Sequence, residues 1–253
     1  MTAPVPVPAP APAPASDARL LTLLAQRPGP LDSLLIHPAG GGLAQYLGVA
    51  SRLARHGTVH GIRADGLLAG EEPDDSVPEM TRRYLDLVAG LPRRPNLLAG
   101  WSLGGVIAWE LAARLAEDGP APAVVLIDSF PEPESADDAV RADLLSAVER
   151  SVAALGGGRD TARARATALA HIRAGAAHRT EVRGAGPALL VVCESEHRAR
   201  QTDRWRSLAD RLAVRHLNCG HFEVFDPAHQ GALLGHLDEF LTRTTPAAQE
   251  HAR

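Results

Sequence analysis

The chain has 253 residues, 45% hydrophobic and 22% charged, with a formal net charge of -4, proportions that suit one large globular domain or two small ones. No apolar run approaches the roughly eighteen residues of a membrane span, and the segment 1–16 has neither a basic nor an apolar stretch, so neither a spanning helix nor a secretory signal is expected, and a cytoplasmic location is. Two cysteines, Cys193 and Cys219, rule out a disulfide framework and a four-cysteine zinc site, and the mildly acidic balance argues against nucleic-acid binding.

Residues 2–15 read TAPVPVPAPAPAPA. They lack large apolar side chains and alternate proline with small residues, so 1–16 is expected to be a disordered Ala/Pro linker ahead of a domain spanning 17–253. Leu20, Leu21, Leu23 and Leu24, preceded by Ser16 and Asp17 as capping candidates, predict a short helix that ends at Pro28-Gly29-Pro30. Strand-like apolar bursts follow at Ser33–Ile36, Val59–Ile62, Asn96–Ala99, Ala123–Ile127, Ala188–Cys193 and Leu212–Leu217. Several are continuous rather than alternating, as in strands buried on both faces of a parallel sheet. Helical periodicity lies between them, clearest in Leu103, Val106, Ile107, Leu111 and Leu115, and again in Leu233, Leu237, Phe240 and Leu241. This alternation predicts a mostly parallel, doubly wound α/β sheet. Residues 131–186 interrupt it with two helix-like stretches, the first carrying Val140, Leu144, Leu145, Val148, Val152 and Leu155, with Gly156-Gly157-Gly158 between them. A gap of roughly fifty residues exceeds what a crossover needs and predicts an inserted helical lid.

Gly100-Trp101-Ser102-Leu103-Gly104 stands between a buried strand and a good helix, the context a nucleophile elbow requires. A serine hydroxyl is a weak nucleophile at neutral pH and needs a base. His221, in Asn218-Cys219-Gly220-His221-Phe222, follows the last strand and is the expected base. His56, His60, His171, His178, His197, His229, His236 and His251 lack that context and are expected to be solvated. The acid that fixes the imidazole tautomer has two candidate positions: Asp128, one strand after the nucleophile, and Glu194 or Glu196, two strands after it. Spacing alone leaves both open. Oxyanion donors are expected from the Leu103 N–H and from Ala39 or Gly40 in the loop His37-Pro38-Ala39-Gly40-Gly41-Gly42. That loop has neither the glycine spacing nor the lysine of a phosphate cradle, and His37 reads as its structural prop. Arg82, Arg83, Arg93 and Arg94 read as a solvated surface that could meet an acidic partner. Trp101, Trp109 and Trp205 are expected to pack in or near the core, and Cys219 has no elbow context.

HPAGGG after the first long strand, GWSLGG at the elbow, LIDSF around Asp128 and CGHF near the end together resemble the chain-releasing thioesterase domains of nonribosomal peptide synthetases and polyketide synthases. The likeness covers residues 32–243 and implies an α/β-hydrolase fold with a lid. It also implies a Ser102, Asp128 and His221 triad, because the stand-alone proofreading relatives carry the acid one strand later. The implied reaction releases a peptidyl or polyketide chain from a phosphopantetheinyl carrier protein through a Ser102 ester, by hydrolysis or cyclisation. No cofactor bound by the enzyme itself is implied, and a monomer is expected. Beginning at Met1 without a carrier domain, the chain reads as a discrete enzyme or an excised domain. The alternatives are a proofreading thioesterase acting on short acyl groups and a general carboxylesterase.

Overall fold

The computed structural model describes residues 20–132, 146 and 158–244; the Ala/Pro segment and, apart from Ser146, the first helix-like stretch of the insertion lie outside them. Seven strands form one sheet: β1 (Leu21–Ala25), β2 (Leu31–Ile36), β3 (Gly57–Ile62), β4 (Leu97–Trp101), β5 (Ala123–Ile127), β6 (Gly184–Val192) and β7 (Ala209–His216), in the spatial order β1-β3-β2-β4-β5-β6-β7. All neighbours run parallel except β1, which pairs antiparallel with β3. The described helices are α1 (Leu47–Leu53), α2 (Val77–Ala89), α3 (Leu103–Glu117), α4 (Arg159–Ala177), α5 (Arg198–Leu208) and α6 (Pro227–Thr244).

The continuous apolar bursts are explained by the pleat, since successive residues of a strand point to opposite faces and both faces here are covered. In β5, Val124 and Leu126 join the cluster formed with α2, α3 and α5, while Val125 and Ile127 join the one formed with α1 and α6. On the α3 side Trp109 and Trp205 meet edge to face at 5.0 Å, and the Trp109 indole N–H donates to the Val182 carbonyl at 2.9 Å. Helix α2 starts with a capping pattern: Ser76 Oγ accepts from the Glu79 N–H, and Pro78 occupies the first turn.

Leu20 to Leu24 do not form a helix. Leu21 to Ala25 pair with β3 as an antiparallel edge strand, because an unpaired β3 edge was available to the leucines and a strand there buries Leu20 completely. The range 131–186 also overlaps the start of β6 at Gly184. Among the described residues of the insertion, Arg159–Ala177 form the helix α4.

The strand order reverses between β2 and β4: from β2 the chain passes outward to β3, then returns to β4 on the other side. At such a switch point the loops after two adjacent strands diverge and leave a crevice at the sheet's carboxyl edge. Ile36 pairs with Gly100 at that edge, so the loop His37 to Gly42 and the turn at Ser102 face each other.

Candidate active site

Ser102 has φ 56° and ψ −125°, a conformation forced on a non-glycine residue by its surroundings. The Ser102 N–H donates to the Ile127 carbonyl at 2.9 Å, and the Gly105 N–H donates back to the Ser102 carbonyl at 3.1 Å. The flanking glycines are steric necessities. A Cβ on Gly100 would lie 2.1 Å from the Gly104 carbonyl carbon, and one on Gly104 would lie 2.5 Å from the Ile36 oxygen. Gly104→Ala is therefore expected to destabilise the domain by about 1–3 kcal/mol through overpacking against backbone that cannot yield; a thermal melt unchanged from the parent would refute this account of the motif.

Asp128 follows β5 with φ 42° and is nearly buried. Its Oδ2 lies 2.7 Å from His221 Nδ1. Its Oδ1 accepts from the Cys193 N–H at 3.1 Å and from the Gln201 amide at 3.3 Å. Burial alone would raise this carboxyl's pKa, but hydrogen bonding and attraction to His221, with the bonds from Cys193 and Gln201, outweigh it and hold the group below its ordinary value. Glu194 and Glu196 are exposed, and Glu194 is paired with Arg198 at 3.1 Å. Neither is in the Asp128–His221 pair.

His221 is walled by aromatic rings, with centroids at 5.0 Å for Trp101, 5.8 Å for Phe130 and 4.9 Å for Phe222. Its Nε2 is buried and has no hydrogen-bond partner among the described residues. With Nδ1 engaged by a carboxylate, Nε2 is the nitrogen left to take up a proton. Tyr46, which the sequence reading passed over, ties the two edge loops together: its hydroxyl donates to the Ile36 carbonyl at 2.8 Å and accepts from the Trp101 N–H at 2.7 Å.

Across the crevice, Pro38 to Gly41 form a turn closed by the Gly41 N–H on the Pro38 carbonyl at 2.8 Å. Ala39 is buried and Gly40 exposed. The N–H groups of Ala39, Gly40 and Leu103 make no backbone hydrogen bond among the described residues. His37 lies beneath the turn, with Nδ1 2.8 Å from the Pro38 oxygen and Nε2 2.6 Å from the Tyr84 hydroxyl. Burial, then the neighbouring His171, drive its pKa down to about 3.

Several expected surface groups are interior. His171 is fully buried, His60 is half-buried and His178 is held against Glu110 at 2.9 Å. Arg83 is no solvated arginine either: it lies between Asp65 at 2.7 Å and Asp74 at 3.3 Å. Such pairings join segments distant in sequence and leave no local periodic mark. The thiols of Cys193 and Cys219 are free, 3.9 Å apart, and pushed to higher pKa by burial, which keeps them protonated rather than nucleophilic. Among the described residues no cluster of His, Cys, Asp and Glu could hold a metal ion, and no helix is long and apolar enough to cross a membrane.

A family model described as thioesterase domain matches residues 34–241, most of the chain. The chain belongs to the thioesterase-domain family. This thioesterase domain is 37% identical over 86 residues to the nonribosomal peptide synthetase btyA of Aspergillus terreus, covering 34% of this chain and 9% of that protein. It is 35% identical over 107 residues to a probable thioesterase of Gibberella zeae, covering 42% of this chain and 26% of that one. The matched part is thus a minor fraction of these relatives' length. Among solved structures it resembles the NocB thioesterase domain from the nocardicin cluster, with TM-score 0.70, 22% identity and coverage of 88% of this chain and 99% of that one. A Vlm2 thioesterase domain bound with a dodecadepsipeptide gives TM-score 0.70 and 22% identity, covering 87% and 97%. The likeness to these solved structures establishes the α/β-hydrolase fold.

Proposed function

We propose that this domain releases a peptidyl or polyketide chain from the phosphopantetheine arm of a carrier protein, in two half-reactions on Ser102. The observation that carries the reading is the 2.7 Å contact of Asp128 with His221 beside the strained Ser102 turn, with Glu194 occupied by Arg198 instead. It is supported by the synthetase relatives.

Ser102 Oγ adds to the thioester carbonyl carbon as its proton passes to His221 Nε2, and the negative charge develops on the carbonyl oxygen. That oxygen is placed against the Leu103 N–H, at the amino end of α3, and the N–H of Ala39 or Gly40. Collapse breaks the carbon–sulfur bond, and the departing thiolate takes the proton from His221. Water, or a hydroxyl or amine within the acyl chain, then adds to the Ser102 ester by the same path, giving an acid or a ring. Enclosure by the insertion would decide between them, by excluding bulk water and by holding the chain's own nucleophile near the ester. The enzyme itself needs no bound cofactor for this. A monomer working in the cytoplasm, with an acidic carrier as partner, completes the proposal.

Intact mass spectrometry after mixing the protein with peptidyl and acetyl thioester mimics tests it. The expected result is an acyl mass gain mapped to Ser102 with the peptidyl mimics. Rapid turnover of acetyl with none of peptidyl thioesters would instead assign a proofreading role, and turnover of simple oxygen esters alone a carboxylesterase.

A further inference from the structure

His171 is the histidine whose position departs most from the surface expected for it: it is fully buried, in the middle of α4. One face of that helix lies over the crevice wall. Thr167 abuts Gly66, where an added Cβ would lie 2.6 Å from Thr167 Oγ1, and an added Cβ on Gly175 would lie 3.3 Å from Leu103 Cδ1. His178 is held against Glu110 of α3. The spacing 167, 171, 175 is that of a single helix face, and His178 is the extended residue that ends α4. Between these anchors the His171 ring stacks on His37, with centroids 5.0 Å apart and planes at 26°, and its Nδ1 is 3.0 Å from the Ala39 carbonyl oxygen.

A carbonyl oxygen can only accept, so Nδ1 carries the hydrogen in both imidazoles. Each then holds one of two consecutive peptides: His37 takes the Pro38 carbonyl and His171 the Ala39 carbonyl. In a trans peptide the C=O and the following N–H point in opposite directions. Anchoring the two carbonyls on the interior side therefore turns the Ala39 and Gly40 N–H groups to the other side of the loop, where Gly40 is exposed. Were the Ala39–Gly40 peptide to flip, its carbonyl would face the developing oxyanion and repel it. Stability alone does not account for His171. Its Nε2 is buried with no hydrogen-bond partner among the described residues, a cost that an apolar side chain of similar size avoids.

We propose that His171 is a positioning residue: through its Nδ1–H it locks the Ala39–Gly40 peptide of the oxyanion loop, so that the seating of α4 of the insertion sets the oxyanion hole. Burial supports this by lowering the His171 pKa to about 4 and keeping the ring neutral. The inference rests on the acyl-enzyme reading of Ser102.

The test compares His171→Phe, which keeps a ring over His37 but loses the donor, with His171→Asn, whose amide nitrogen can replace Nδ1. Two quantities are read: kcat and KM on a peptidyl thioester, and the rate of Ser102 phosphonylation by a fluorophosphonate, whose oxygen occupies the oxyanion position. His171→Phe is expected to lower kcat and phosphonylation together by about 10- to 100-fold with KM within about twofold, part of what a lost oxyanion donor costs. His171→Asn is expected to recover most of it. A folded Phe variant with parental phosphonylation, or an Asn variant as slow as Phe, would overturn the proposal. Should the Phe variant not fold, His171→Gln, whose nitrogen reaches the Nε2 position instead, takes its place and is expected to be as slow. Failure of the parent itself to be phosphonylated at Ser102 would sink the acyl-enzyme reading rather than this one.

Discussion

Ser102→Ala is expected to lower kcat on a peptidyl thioester by at least about 10⁴-fold, leaving only what binding and oxyanion donors supply, and to abolish the acyl adduct. The two readouts separate chemistry from folding. Alanine keeps the Cβ, so the strained backbone at φ 56° is unaltered, and no hydrogen bond of Ser102 Oγ to the helix it caps is lost. The melting temperature should stay within about 2 °C of the parent. Turnover persisting in this variant would mean that another group attacks the thioester, and the buried thiols of Cys193 and Cys219 are poorly suited to it because burial keeps them protonated.

The parts of the fold legible in the sequence were those with a local signature. Ala123 to Ile127 form a strand over the same residues that read as one, because a parallel strand buried on both faces has no other pattern than a short apolar run. The G-x-S-x-G turn was legible for a related reason: the collisions a Cβ would make at Gly100 and Gly104 leave glycine as the only residue at those points. Local reading failed where a long-range partner decides the outcome. Leu20 to Leu24 satisfy a short helix as well as a strand, and only the open edge of β3, some forty residues on, selects the strand. His171 has no local mark because its partners, His37 and the Ala39 carbonyl, are more than a hundred residues earlier. A buried imidazole and a solvated one look alike in sequence. The small residues around it, Ala168, Ala170 and Ala174, were the available hint, since all are buried and let α4 approach the loop closely.

Asp128→Asn is expected to reduce kcat by about 10⁴-fold while Glu194→Gln stays within about twofold, and the reason lies in how the carboxylate is held. Asp128 Oδ1 accepts from two fixed donors, the Cys193 N–H and the Gln201 amide. In the asparagine variant those donors select the amide oxygen for that position and leave the amide nitrogen facing His221 Nδ1. An N–H there can only donate, so Nδ1 must give up its hydrogen and the imidazole takes the tautomer with hydrogen on Nε2. That nitrogen can then no longer accept the Ser102 proton. The effect is one of tautomer and not of pH: the parent's carboxyl is held below its ordinary value, so it is ionised at any neutral assay. Its contribution to stability is present above the unfolded-state carboxyl pKa and is lost only as pH falls through the lower folded value. The kinetic loss should accordingly be flat across neutral pH, with acylation slowed in rapid-mixing experiments and KM little changed. Near-parental turnover in Asp128→Asn together with a large loss in Glu194→Gln would move the acid one strand along the sheet, and with it the assignment from chain release to proofreading.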